Sequence, residues 1–286
     1  MPDKLIRGIL GDGVARMFAI DVSGIAEQTR QLHKLRGDAA QLAAEAVVAS
    51  VVLSGHIKGE ERVSLQMQCS RPQAAFIADV DANGGVRARF TPEAVTVDAN
   101  AGIEGMLLAI KSMPGKELYR GVTPVENESI SDALTRHLGI SAQVDTILNI
   151  SAVLSPDGAV LHAGGIVIER LPSSAVSELE ASAEFVVTFD PVREMTIQDL
   201  LQSVVDGTLQ DLPIEVLEEQ EVKWRCSCGQ ERVEAVLASL PVEEITAMLE
   251  EDGKAEVVCH FCNIAYQIGP DRLQQMVVAK TPADIN

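Results

Sequence analysis

Four of the five cysteines in this 286-residue chain stand in two close pairs. The first pair is Cys226-Ser227-Cys228 and the second is Cys259-His260-Phe261-Cys262, with the thirty residues 229–258 between them. Thiolates are soft donors, and a closed zinc site takes four such ligands in a tetrahedron. Two pairs joined by a long loop can each clasp one metal ion while the loop folds over it. The spacing therefore predicts one Zn²⁺ per chain, with the ligands Cys226, Cys228, Cys259 and Cys262.

The same cysteines allow three other interpretations. A zinc module that only stabilises a fold is the commonest use of two cysteine pairs, although a CxC pair is less usual there. A thiol–disulfide oxidoreductase normally places one CxxC at a helix start in a thioredoxin-like βαβ pattern, and that pattern is missing. A zinc-ribbon binding module of a regulatory or nucleic-acid complex would need a basic or aromatic surface beside the cysteines. His260 is a fifth possible ligand, but four thiolates already complete a tetrahedral site.

The other residues that could do chemistry are scattered. Cys69 stands alone, and a lone cysteine is more often a small buried hydrophobe than a reactive group. The four remaining histidines show no metal or triad spacing: His33, His56, His137 and His162. The sequence also has no P-loop or glycine-rich nucleotide motif. We therefore predict no catalytic residues and a protein that is not an enzyme.

The charge of the chain excludes one class of partner. With 23 basic and 42 acidic residues, the net charge is 23 − 42 = −19. Nucleic-acid affinity depends on Lys and Arg displacing counterions, so a phosphate-backbone binder is excluded. Most of the charge is local, because residues 171–256 hold 20 acidic and 5 basic side chains.

The elements that must position the cysteines fall into three predicted segments. Residues 1–172 mix strands and helices without regular βαβ alternation, which favours an α+β core domain. Residues 173–224 are acidic and predict a helical linker. Residues 225–286 carry the cysteine cluster and few large apolar side chains, so metal binding should supply much of the folding energy of this zinc-binding domain.

The core domain has clear local patterns. Two hairpins are predicted, one with strands at 76–80 and 86–90, the other with strands at 144–154 and 159–168. A helix that begins at Asp38 is apolar nearly all round, so it belongs in the middle of the fold, between antiparallel sheets. Its polar interruptions and length are unlike those of a membrane span, which needs about 20 mostly apolar residues. The sequence also shows no secretory signal, so we expect a cytoplasmic protein whose thiols stay reduced.

The linker contains one segment with two interpretations. Thr196 to Val205 predicts an amphipathic helix that ends at Gly207. Residues 213–222 are apolar enough to touch another surface yet too charged for a core. They predict either a solvated helix or a segment docked marginally on the core domain and able to detach. Beyond the linker, one short helix is expected after Pro241, inside the loop between the cysteine pairs.

At the two cysteine pairs, Cys226-Ser227-Cys228 and Cys259-His260-Phe261-Cys262, the chain resembles the family of the thirty-three-kilodalton bacterial heat-shock protein, the redox-regulated chaperonin. The resemblance spans essentially the whole chain. It departs at 69–72, where many relatives carry a glycine-rich turn. The motifs that carry it are Cys226-Ser227-Cys228 with Glu231-Arg232, Glu250-Glu251-Asp252-Gly253 before Cys259-His260-Phe261-Cys262-Asn263, Ala163-Gly164-Gly165, and Ala78-Asp79 before Asn83-Gly84-Gly85.

The resemblance implies an ATP-independent holdase that is inactive when reduced and zinc-bound. Oxidants would convert the four thiolates into two disulfides, by analogy Cys226–Cys228 and Cys259–Cys262, and release zinc. The zinc-binding domain would then melt, and the redox-metastable linker would lose its support. Detachment would expose apolar surface that holds unfolding client proteins and stops their aggregation under oxidative stress. The resemblance further implies a homodimer on activation. From the acidic charge and the interrupted apolar runs, we expect neither nucleic acid nor a membrane as partner.

Overall fold

The computed structural model describes residues 2–97, 102–142, 145–172 and 178–280. The chain divides into two compact units, and the boundary between them falls between Arg225 and Cys226. Within the described residues, the first unit has two six-stranded sheets and two short parallel strands. The predicted α+β class is confirmed. The strands of the first unit are β1 (Lys4–Leu10), β2 (Ala15–Asp21), β3 (Arg36–Gly37), β4 (Arg62–Arg71), β5 (Gln73–Asp81), β6 (Gly85–Thr91), β7 (Ala94–Val95), β8 (Ile103–Met113), β9 (Lys116–Glu128), β10 (Thr146–Leu154), β11 (Val160–Arg170), β12 (Thr208–Leu209), β13 (Leu212–Glu221) and β14 (Lys223–Trp224).

The helices of the first unit connect and cover these sheets. The first sheet has the strand order β10-β11-β2-β1-β13-β12 and the second has the order β14-β6-β5-β4-β8-β9. Neighbouring strands pair antiparallel except β14 with β6. A 3₁₀ segment, Asp190–Glu194, joins the last two helices of this unit. The helices are α1 (Ser23–Leu32), α2 (Asp38–Ser54), α3 (Ile130–Ala142), α4 (Glu178–Phe189) and α5 (Ile197–Asp206).

Both predicted hairpins are present. β5 and β6 are joined by a turn in which Asp81 Oδ1 accepts hydrogen bonds from the backbone N–H groups of Asn83 and Gly85, at 2.9 and 3.0 Å. The second hairpin pairs β10 with β11. Its predicted start, residue 144, lies outside the described residues, and the described strand begins at Thr146.

The predicted buried helix is α2, and it forms the centre of the first unit. Fourteen of its 17 residues are buried. It packs on strands of both sheets, among them β10 and β11 of the first and β4 and β5 of the second. Its many alanines let these strands approach closely. In the described residues, no helix is long and apolar enough to cross a membrane.

The helical interpretation of residues 213–222 is wrong. Leu212–Glu221 form strand β13, which pairs antiparallel with β1 along the first sheet. The pairing satisfies backbone groups that a marginal helix in solvent would leave to water. It also sets acidic side chains of β13 against basic ones of β1: Lys4 with Glu219 at 3.3 Å and Arg7 with Glu218 at 3.2 Å. The described part of the linker, 178–224, thus packs within the first unit.

A second apolar core lies between the first sheet and the linker. Successive strand residues point to opposite faces, so Phe18 and Ile20 face α2 while Met17 and Ala19 face the linker. Helix α5 confirms the predicted amphipathic helix; Thr196 caps it by accepting from the Asp199 N–H, and Gly207 ends it with φ 74°. The linker contributes these buried side chains to the second core: Phe185, Phe189, Val192, Leu200 and Leu209.

The second unit is small and mostly helical. Its core is short of large side chains, as the sequence predicts, and consists of Val233, Leu237, Ile245, Ala255, Ile268, Leu273 and Met276. The loop between the cysteine pairs holds two helices rather than the one expected. The first of them was missed because its buried face is only Val233 and Leu237, one helical turn apart. The elements are α6 (Gln230–Ser239), α7 (Val242–Glu251), β15 (Ala255–Val258), β16 (Ala265–Ile268) and α8 (Pro270–Lys280).

Candidate metal centre

The four clustered cysteines come from two local structures of the second unit. Cys226 and Cys228 precede α6, and Cys259 and Cys262 lie in the turn between β15 and β16. The turn is fixed by its backbone, because the Cys259 N–H donates to the Ile264 carbonyl at 2.9 Å and the Asn263 N–H donates to the Cys259 carbonyl at 2.8 Å. Asn263 has φ 56°, a left-handed conformation that asparagine tolerates better than most residues. The turn therefore directs both thiols of the second pair to one side.

The sulfur atoms have the spacing of a tetrahedral metal site. Cys226 Sγ lies 3.6 Å from Cys259 Sγ, and Cys228 Sγ lies 3.3 Å from Cys262 Sγ. All four sulfurs are within 4.8 Å of one another. A tetrahedron with zinc–sulfur bonds of about 2.3 Å has sulfur–sulfur distances of about 3.8 Å. The four predicted ligands are thus brought together, and the cluster is of the right size to hold one metal ion.

The protein environment separates the proton affinities of these thiols. Burial raises the pKa of Cys226 and of Cys262 above the ordinary value. Burial acts the same way on Cys259, but hydrogen bonds to its sulfur from the backbone N–H groups of Cys262 and Phe261, together with those from the Cys262 and Cys226 thiols, outweigh it. The pKa of Cys259 is lowered to about 7. In the metal-free form, Cys259 is therefore the most readily ionised of these three, and the thiolate is the form that binds metals and attacks oxidants.

Tyr266 completes the surroundings of the cluster. Its hydroxyl donates a hydrogen bond to Cys228 Sγ at 3.0 Å, and this bond raises the pKa of Tyr266 to about 12. Hydrogen bonds to ligand atoms orient them and adjust their basicity. His260 is exposed and is not part of the group of possible ligands among the described residues. Tyr266 lies four residues beyond the last cysteine, and no sequence pattern predicts its contact with the cluster.

The other candidate residues lie in the first unit. Cys69 is 8% exposed within the main core, as predicted for a small buried hydrophobe, and burial raises its pKa. His137 is buried and paired with the Thr123 hydroxyl at 2.8 Å. His56 contacts the buried carboxylate of Glu169 at 2.9 Å. These side chains have structural partners within the fold.

Comparison with known proteins places the whole chain in one family. The family model described as Hsp33 protein matches residues 3–269. The 33 kDa chaperonin of Bacillus velezensis is 28% identical over 285 residues, covering 96% of this chain and 98% of the relative. That of Bacillus subtilis is 27% identical, covering 95% and 97%. The crystal structure of the 33 kDa chaperonin from Thermotoga maritima shares the fold, with a TM-score of 0.78 at 20% identity over 98% of this chain and 99% of that one. Since the family match spans most of the chain and includes all four clustered cysteines, the chain belongs to the Hsp33 family of chaperones.

Proposed function

We propose that the protein is a redox-regulated, ATP-independent holdase whose switch is the cysteine cluster. In the reduced state, one Zn²⁺ is held by Cys226, Cys228, Cys259 and Cys262, and the protein is inactive. The observation that carries the proposal is the cluster itself: four thiols with the spacing of a tetrahedral site, in a unit that has few other means of folding. A bound metal keeps its ligands as thiolates, the form that oxidants attack.

Oxidation removes the ligands in two steps of the same kind. In each, one thiolate attacks hypochlorous acid and a second thiolate displaces chloride from the resulting sulfenyl chloride. Two electrons pass to the oxidant, which leaves as chloride and hydroxide, and one sulfur–sulfur bond forms. Following the family, we propose the disulfides Cys226–Cys228 and Cys259–Cys262. Neither disulfide retains a thiolate, so these four residues could no longer hold the metal.

Loss of the metal destabilises the second unit. The seven buried apolar residues in the core of that unit give little hydrophobic stabilisation, and the free energy of metal binding is then a large part of the free energy of folding. The first unit has its own extensive core around α2 and does not depend on the metal. Oxidation therefore unfolds the second unit selectively.

The linker, 173–224, is the segment proposed to respond. It is continuous with Cys226, and its last strand, β14, pairs with β6 through only two residues. If the linker detaches, the outer face of the first sheet becomes exposed, with Met17, Ile166 and Ile168 among its apolar residues. The linker would expose Phe185 and Phe189 at the same time. An apolar surface of this kind can hold the apolar segments of unfolding client proteins.

The alternative of a zinc-ribbon module for nucleic acid has no support from charge. Residues 226–286 hold 4 basic and 10 acidic side chains, a net of −6. We propose unfolded clients as partners, a homodimer on activation, and the cytoplasm as the compartment. Reduced thiols there would keep the switch closed until oxidative stress.

The test is a peroxide titration at raised temperature in which zinc release and suppression of client aggregation are measured on the same samples. We expect one zinc ion per reduced chain, and suppression of aggregation that rises in parallel with zinc release. Equal suppression by the reduced and oxidised forms would contradict the switch. Metal binding that survives full oxidation would contradict the four-thiolate site.

A further inference from the structure

Asn149 is a buried amide in the apolar layer between the first sheet and the linker. It lies on β10, two residues after Ile147, so both side chains point to the face that carries the second core. Asn149 is 6% exposed. An amide in such a layer weakens the packing unless its hydrogen bonds are satisfied.

Among the described residues, the hydrogen-bond partners of the Asn149 side-chain amino group belong to the linker. Its Nδ2 lies 2.8 Å from the Val192 carbonyl oxygen, 2.9 Å from that of Met195 and 3.2 Å from that of Arg193. The two hydrogens of this amino group are thus shared among three carbonyl groups of one turn. That turn, Asp190–Glu194 and the next residue, joins α4 to α5. One side chain of the core domain therefore binds the linker at its midpoint.

On β11, the strand beside β10, a glycine lets the linker pack closely against the sheet. A Cβ atom added to Gly164 of β11 would meet the backbone carbonyl of Ile20 and would lie 2.8 Å from Cδ1 of Ile197, the first residue of α5. Helix α5 therefore packs directly on backbone at this position. The turn and the start of α5 therefore lie directly against one face of the first sheet.

We propose that Asn149 is a positioning residue that latches the linker to the first sheet in the reduced state. The proposal rests on the proposed function, since it assigns a step of that switch. When this turn leaves the sheet, the amide loses its three carbonyl partners at once, which opposes partial opening of the turn. Without the amide, carbonyl groups of the turn would remain buried and lose a donor, a penalty that corresponds to a shift of roughly 5- to 30-fold in the opening equilibrium.

The test compares two variants with a matched control. Asn149→Leu removes the donor at similar volume, and Asn149→Asp places a carboxylate against three carbonyl oxygens. Gln41→Leu is the control, because Gln41 on α2 donates to the Ala152 carbonyl of the same strand at 2.8 Å without touching the linker. Hydrogen exchange of residues 182–206 is measured in the full-length, reduced, zinc-loaded proteins, together with zinc content and suppression of client aggregation without oxidant.

We expect both Asn149 variants to keep one zinc ion per chain, to raise exchange of the linker by roughly 5- to 30-fold, and to suppress aggregation without oxidant. Gln41→Leu should leave linker exchange unchanged. Unchanged linker exchange in the Asn149 variants, or an equal rise in the control, would overturn the latch. If oxidised wild-type protein fails to suppress aggregation, the proposed function fails, while linker exchange still decides the latch.

The wild-type protein gives a second measurement in case the variants do not fold. The side-chain amide signal of Asn149 can be followed by NMR during oxidation. We expect its protection from exchange to disappear at the oxidant dose that removes protection from α4 and α5. Protection of the amide that persists after the linker has opened would overturn the proposal.

Discussion

At the residue scale, a four-thiolate site loses an essential donor when any one cysteine is replaced. We expect Cys226→Ser or Cys262→Ser to weaken zinc binding by more than about 100-fold, since changes outside the ligand shell already cost 10- to 100-fold. The second unit should loosen, and the linker with it, even without oxidant. Competition with a chromogenic chelator measures the affinity, and hydrogen exchange measures the loosening.

Cys69→Ser is the control for these variants. Cys69 is buried in the first unit and belongs to a different core. Its replacement should leave zinc affinity unchanged and lower the free energy of unfolding of the first unit modestly, because a hydroxyl replaces a thiol in an apolar site. Wild-type zinc affinity in Cys226→Ser and Cys262→Ser would refute the assignment of the ligands.

The sequence could predict the role of the four cysteines in the metal centre, but not the roles of Tyr266 and Asn149. The four cysteines are local pairs, and the chemistry of thiolates restricts what two such pairs do. Tyr266 has no comparable signature, because its contact with Cys228 joins residues 38 positions apart across the hairpin and the start of α6. Asn149 was missed for the same reason, since its partners lie 43 to 46 residues away.

At the element scale, helix α4 is held against the first sheet by its buried side chains, of which Phe189 is one. Phe189 is fully buried at the end of α4, 5.2 Å from the ring of Phe185 by ring centroids. Phe189→Ala should destabilise docking of the linker by about 3–5 kcal/mol. We expect rapid proteolysis within 178–212 in the reduced, zinc-loaded protein, at conditions where wild type resists.

The matched control is Val187→Ala on the same helix. Val187 is 78% exposed, so its truncation should leave the cleavage rate near that of wild type. Equal cleavage of the two variants would show that α4 does not depend on its buried face.

Glu27 connects α1 to β11 by hydrogen bonds, and its ionisation should make the stability of the first unit depend on pH. Its carboxylate accepts two bonds of 2.7 Å from Arg30 and one of 2.8 Å from the Val160 N–H. The bond from Arg30 is the main cause that lowers the pKa of Glu27 to about 2. A lowered pKa stabilises the fold above the unfolded value of 4.5, and this contribution is lost as the pH falls toward 2.

We therefore expect Glu27→Gln to lower the free energy of unfolding by about 1–2 kcal/mol at pH 7. The difference from wild type should shrink below pH 4.5 and vanish near pH 2. Urea unfolding followed by circular dichroism across this range measures it. Glu117→Gln is the control, because its pair with Arg120 is exposed. A difference that does not change with pH would exclude ionisation of Glu27 as its source.

Elements with local patterns were predictable, and β13 was not. The hairpins, α2 and α5 are specified by turns, caps and periodicity within short segments. β13 becomes a strand because β1, more than 200 residues earlier, offers an unpaired edge with basic side chains. Its charge run, taken alone, is equally typical of a solvated helix.

At the scale of the whole molecule, the two units differ in what stabilises them. Removing the metal from reduced protein with a strong chelator should abolish amide protection in 230–280, loosen the linker, and leave the strands of the two sheets outside the linker protected. Restoring Zn²⁺ to the still reduced protein should reverse the change. Hydrogen exchange by mass spectrometry measures both. A second unit that stays protected without metal would contradict metal-dependent folding.

The path of the chain just before the cysteines determines the order in which the linker would leave the two sheets. β13 belongs to the first sheet and β14 to the second, and the crossing is fixed where the Val222 N–H donates to Asp3 and the Lys223 N–H donates to Gly84. Fraying that begins at an unfolded second unit would reach the two-residue β14 first. The longer β13 would then separate from β1 one residue pair at a time, beginning with Glu221 and Lys4. Opening would thus proceed in order from residue 224 backward, and the helices would be the last part of the linker to leave.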